Sequence, residues 1–319
     1  MHHFWLPAAL AAMMAGPINE QAAEQAIAPD LTDAETEILG LEEERYERLT
    51  VPVTIDDAGP FNFMIDTGSQ ATAVTDAINE RLSLVPAGKA ILVGTASRRE
   101  VDLVEVGQLG LGSRTIRDIE APVLRRAHVG ADGILGLDSL QDMRVLIDFR
   151  EETIAIADND EMSSTRGYEI IVRARQKLGQ LLITNALVEG VRATVIIDTG
   201  AQTSLGNLAL REKIRQRRAQ EIVTTDVNGV TLVGQLSLAK SIRIQGLEFT
   251  NIPIAYADTP AFEALGLQEK PTLSIGMQHL KMFDRIAIDF SKRRILFDLP
   301  GLSRVNNRIR TGNATRVES

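Results

Sequence analysis

One five-residue stretch constrains this chain more than any other, because it occurs twice. Ile65-Asp66-Thr67-Gly68-Ser69 and Ile197-Asp198-Thr199-Gly200-Ala201 each close an apolar run. A single Asp-Thr-Gly triplet arises by chance in roughly one chain in fifteen of this length, so one copy alone says little. The flanks match as well: Phe63-Met64 and Val195-Ile196 lead in, and Thr72 and Ser204 place a hydroxyl six positions after each aspartate. Further on, Gly133-Ile134-Leu135-Gly136-Leu137 has its counterpart in Leu273-Ser274-Ile275-Gly276-Met277. Leu146-Ile147-Asp148-Phe149 likewise has its counterpart in Ala287-Ile288-Asp289-Phe290. With the two aspartates 132 positions apart, the chain reads as a duplicated unit, and its fold must be one that two similar halves can build.

These residues resemble the aspartic proteases, most closely the retropepsin branch, with both halves in one chain of bacterial type. The likeness covers roughly residues 51–300. It implies a mainly β protein of two pseudo-symmetric β-barrel lobes, the acid protease fold, with short helices and a cleft between the lobes. It also implies that Asp66 and Asp198 face each other as the catalytic pair, and that Thr67 and Thr199 brace the two loops by hydrogen bonds. Gly68 and Gly200 are implied to allow the tight turn, with Ser69 and Ala201 completing the active-site loops. The strands carrying Ile134-Leu135-Gly136 and Ser274-Ile275-Gly276 are implied to pass behind these loops. The activity implied is that of an aspartic endopeptidase, which cleaves an extended polypeptide with a water activated between two aspartates. One chain then holds a complete site without metal or cofactor.

The residues support these roles on physical grounds. A strand ending in Asp-Thr-Gly presents a carboxylate on a turn whose glycine is expected to adopt backbone conformations barred to other residues. Two carboxylates brought close cannot both ionise easily and come to share a proton; this is the established behaviour of the family's dyad, not a deduction from this sequence. The plainer alternative makes each triplet a polar turn after a strand. On the same scaffold, a catalytically silent peptide-binding or regulatory module is the alternative to an enzyme. Two features depart from the family's relatives. Neither candidate flap contains the aromatic residue usual in pepsin-like enzymes, and Ser274 stands where an aliphatic residue is usual, which leaves the packing behind Asp198 open.

Composition removes several other chemistries. The absence of cysteine excludes disulfides, thiolate catalysis and cysteine-ligated metal. The histidines are His2, His3, His128 and His279, without the paired helical spacing of a zinc protease. No Gly-x-Ser-x-Gly elbow accompanies His128 or His279, which read as surface or packing residues. A net charge of −9 argues against a phosphate-binding surface, and the run Arg211, Lys213, Arg215, Arg217 and Arg218 reads as a solvated helix face. No nucleic-acid partner is expected.

Four segments follow along the chain: a leader at 1–50, lobes at 51–158 and 167–300, and a flexible tail at 301–319. Within the leader, residues 4–15 form an apolar run too short to span a bilayer as a helix but suited to a secretory signal. This points to an exported, periplasmic protein with membrane proximity through that segment; a cytoplasmic protein with an Ala-rich leader is the alternative. Thr32-Asp33-Ala34-Glu35 resembles a capping box opening an acidic helical linker, and a prosegment covering the cleft is the other reading. Short helices are expected at 76–82 and 208–218. One hairpin in each half, turning at Gly94 and at Asn228-Gly229, is either a flap over the substrate or an ordinary surface hairpin.

Overall fold

Alternating apolar and polar residues shape the first hairpin of each half. The computed structural model describes residues 37–40, 42–43, 49–141, 143–158, 165, 167–215, 219–300 and 309–311. Val51, Val53 and Ile55 are buried along Leu49–Ile55, which pairs antiparallel with Ala58–Ile65. In the second half Gln180–Val188 pairs with Val191–Ile197 in the same way. Each hairpin's second strand stops one residue short of its aspartate, so the duplicated pattern delivers both carboxylates to equivalent positions. Pro52 falls between the stretch that pairs with Glu42–Glu43 and the stretch that pairs with Arg98–Leu111, where a missing amide does least harm.

Both halves close into rings of six strands. The first runs Leu49–Ile55, Ala58–Ile65, Gly133–Leu135, Ala73–Thr75, Arg114–Leu124 and Arg98–Leu111, whose last strand returns to the first. The second runs Gln180–Val188, Val191–Ile197, Thr272–Ile275, Leu205–Gly206, Leu247–Tyr256 and Thr231–Ile244, and closes through Ala186 opposite Ile244. Closure removes most of the open edges that such strands would otherwise present.

A third sheet belongs to both halves. Met143–Asp148 pairs antiparallel with Arg285–Asp289, flanked by Thr153–Asp158 on one side and Arg294–Asp298 on the other. Leu146 lies opposite Ala287, its own counterpart in the repeat, so the local twofold axis passes between them. One face, with Val145, Ile147, Ile286 and Ile288, joins both barrel interiors in a continuous core. The other face packs Leu146, Ala155, Ala287 and Leu296 against Tyr168. Beside them Arg294 Nε binds Asp289 at 2.9 Å, and Arg285 binds Asp298. Burial pushes the Asp298 carboxyl up to about 6, against the pull of Arg285.

Three expectations differ from what forms. The acidic stretch expected as a helix contains the strands Glu37–Gly40 and Glu42–Glu43; the first adds to the edge of the shared sheet at Thr153–Asp158, where main-chain pairing overrides local helix signals. The tail expected to be loose contains the strand Ile309–Thr311, paired with Leu247–Phe249 along an edge that Leu205–Gly206 leaves uncovered. The first helix forms at Asp76–Leu82 as expected, while the second covers Leu208–Lys213 and stops short of 218. The apolar run at 4–15 and the capping box lie outside the described residues.

Candidate active site

The two aspartates are held alike. Asp66 N donates to Leu135 O at 3.0 Å, and Asp198 N donates to Ile275 O at 3.0 Å. Asp66 Oδ1 accepts from Gly68 N at 2.8 Å and Ser69 N at 3.0 Å; Asp198 Oδ1 accepts from Gly200 N at 3.1 Å and Ala201 N at 3.0 Å. Ser69 and Ala201 thus contribute amides, the Ser69 hydroxyl being turned to Ala71 O. Amide donors favour the ionised carboxylate and fix its rotamer.

The threonines tie one loop to the other. Thr67 Oγ1 donates to Ile197 O at 2.8 Å and accepts from Thr199 N at 3.2 Å. Thr199 Oγ1 donates to Ile65 O at 2.7 Å and accepts from Thr67 N at 3.1 Å. Both side chains are buried, so these groups have no solvent to fall back on and the loops are locked in register.

The glycines do something other than expected. Neither Gly68 nor Gly200 has a positive φ, so backbone freedom is not what the position requires. What it requires is space. A methyl group on Gly200 would lie 2.1 Å from Asp66 Cγ, and one on Gly68 would lie 2.6 Å from Asp198 Oδ1. Each carboxylate therefore rests against the glycine of the opposite triplet, and the geometry brings the two acids to one place. They share a cleft of about 610 Å³ between the lobes.

Behind each loop runs the apolar strand of the repeat. Gly133–Leu135 lies parallel to Ala58–Ile65 and antiparallel to Ala73–Thr75; Thr272–Ile275 is placed the same way in the second half. The hydroxyls six positions after the aspartates clamp these crossings. Thr72 Oγ1 accepts from Gly136 N at 3.1 Å and lies 2.6 Å from Asp138 Oδ1, while Ser204 Oγ accepts from Gly276 N at 3.0 Å and lies 2.6 Å from His279 Nδ1. His279 is a buried packing residue and Ser204 is 1 % exposed, which removes that pair as a nucleophilic couple.

The family model for aspartyl proteases matches residues 51–139 and 184–279, once per half and together more than half of the chain. The chain belongs to the aspartyl protease family. Comparison with curated proteins gives no match. The two candidate flap hairpins, Val85–Val93 with Arg98–Leu111 and Gln220–Thr225 with Thr231–Ile244, both line the cleft. Their tips are fastened to each other. Asp226 Oδ2 accepts from Ala96 N at 3.1 Å and Ser97 Oγ at 2.7 Å, and Asn228 Nδ2 donates to Ser97 Oγ at 2.9 Å. Gly94 N closes its own turn on Ser97 O, and Gly229, at φ 77°, presses against the His128 ring.

Two residues of the candidate site, Gln180 and Asp226, lie outside the repeated motifs. Gln180 Nε2 donates to Gly68 O at 2.8 Å, reaching one triplet from the opposite lobe. Asp226 could have been suspected as the side chain opening a turn before Asn228-Gly229, but its partner across the cleft could not. Ser274 stands out in the alignment of the halves, and its hydroxyl lies 3.1 Å from Asp198 Oδ2. Among the described residues no group of three or more His, Asp or Glu side chains could hold a metal ion.

Proposed function

We propose that this chain is an aspartic endopeptidase in which Asp66 and Asp198 together activate a water. The observation that carries the reading is reciprocal contact: each carboxylate lies against the other triplet's glycine, within one cleft. One carboxylate, ionised, takes a proton from the water as its oxygen bonds to the peptide carbonyl carbon. The protonated partner donates to the carbonyl oxygen. Collapse of the resulting diol breaks the C–N bond, the amine takes the proton from the first carboxylate, and the second recovers its own. Titration belongs to the pair.

An extended peptide fits between the hairpin roof and the catalytic floor, where main-chain pairing supplies affinity. Met64, Leu124 and Ile134 on one wall and Ile196, Phe262 and Leu265 on the other favour apolar side chains beside the scissile bond. Export through the apolar run at residues 4–15 belongs to the same proposal, and fractionation of producing cells checks it.

The deciding experiment incubates the purified protein with a peptide library from acidic to neutral pH, beside Asp66→Asn and Asp198→Asn. Cleavage by the parent chain and none by either folded variant is the expected result. A fully active, folded Asp66→Asn variant overturns the reading.

A further inference from the structure

The two halves of the dyad have the same amide donors but different neighbours on the strand behind. In the first half that position is Ile134, 2 % exposed, whose side chain has no proton to donate. In the second it is Ser274, 6 % exposed, whose hydroxyl donates to Asp198 Oδ2 at 3.1 Å. Asp198 thus accepts from Gly200 N and Ala201 N on one oxygen and from a buried hydroxyl on the other. The main-chain setting of the two positions is otherwise the same. Ile134 lies beside Met64 and Ala73, and Ser274 beside Ile196 and Leu205, with no charged group among them. Among the described residues, the titratable groups lining the cleft besides the dyad are Asp226, at the roof, and His128, whose ring lies against Gly229.

We infer that Ser274 is a positioning residue that holds Asp198 as the ionised member of the pair and leaves the shared proton on Asp66. A hydroxyl donated to a carboxylate favours its charged form, and Ile134 at the equivalent position has no such bond to give. In the proposed reaction Asp198 is then the base that takes the water proton, and Asp66 is the acid that protonates the carbonyl oxygen. The inference rests on the two-aspartate reading for its mechanistic meaning, but its physical content is testable without turnover.

The test uses full-length protein with ¹³C-labelled aspartate carboxyls and follows their titration by NMR. In an Asp66→Asn background Asp198 titrates without its coupled partner, and in Asp198→Asn Asp66 does so. The expected order is Asp198 below Asp66. Adding Ser274→Ala to Asp66→Asn raises the Asp198 value by about one to two units, the range a hydrogen bond to a charged group supports. Ser274→Thr, which keeps the hydroxyl, leaves it in place. Ile134→Ser in the Asp198→Asn background lowers the Asp66 value and serves should Ser274→Ala not fold. An Asp198 value unmoved by Ser274→Ala overturns the inference, as does an equal shift in Ser274→Ala and Ser274→Thr. If the titrations behave as expected and the parent chain cleaves no peptide, the assignment of the proton stands and the enzymatic reading alone falls.

Discussion

Replacing Gly200 by alanine tests the site's central contact. The added methyl would lie 2.1 Å from Asp66 Cγ and 2.2 and 2.3 Å from its two oxygens. Comfortable contact between carbon atoms begins at about 3.5 Å, so the Asp66 carboxylate must retreat by roughly 1 Å or more. It is tethered by the Gly68 and Ser69 amides, and hydrogen bonds to a charged group contribute about 1.5–3 kcal/mol each. Losing both costs about 3–6 kcal/mol at most, within the stability of an ordinary domain, so the variant should still fold. A displacement of about 1 Å in a catalytic group costs about 10²-fold in rate, and kcat/KM should fall at least that far. The measurement is peptide cleavage beside a circular dichroism spectrum and a urea midpoint. Gly190→Ala is the control: its φ is 84° with nothing within 4 Å, so it should lose about 1 kcal/mol of stability through backbone strain and keep full activity. A folded Gly200→Ala protein with kcat/KM within threefold of the parent refutes the proposed role of the contact.

Three further outcomes follow from the same geometry. Thr199→Val strands the Thr67 amide and the Ile65 carbonyl in a buried setting, which should cost about 2–5 kcal/mol in urea unfolding; a loss under about 1 kcal/mol contradicts the interlocking role. Asp226→Ala unfastens the two hairpins and should raise KM and speed hydrogen exchange at residues 94–97, while unchanged exchange there counts against the clasp. Asp298, with a folded value pushed up to about 6 from an ordinary 3.8, holds a proton that the unfolded chain has released between those values. Its contribution to stability is therefore present below about pH 4 and lost as pH rises through about 6, so the parent chain should lose stability relative to Asp298→Asn over that interval. A relative gain over the same interval shows that Arg285 outweighs burial.

The repeat in the sequence carried the architecture because both halves spend the same residues on the same tasks. The paired Asp-Thr-Gly triplets and the returning apolar-Gly strands stand where the resemblance put them, and the hydroxyls six positions after each aspartate clamp the crossings behind. Residue identity did not reveal why the glycines are there, since a sequence does not distinguish a need for positive φ from a need for room, and Gly200 turned out to need room. The acidic leader misled for a different reason. Its charges and capping signal describe local preference, whereas Glu37–Gly40 forms by pairing with a strand more than a hundred residues away. Gln180 and Asp226 act across the cleft on Gly68 and Ser97, through contacts that depend on how two barrels sit together. No local pattern encodes such a contact.

The sheet shared by the halves has a mechanical meaning. Five consecutive residue pairs, from Arg144 opposite Asp289 to Asp148 opposite Arg285, stitch one lobe to the other beneath the dyad. Spreading the lobes from below would tear this seam and the core sealed onto it. On the proposed reading a polypeptide enters by parting the two fingertips that meet at Ser97 and Asp226, while the shared sheet stays paired throughout a turnover.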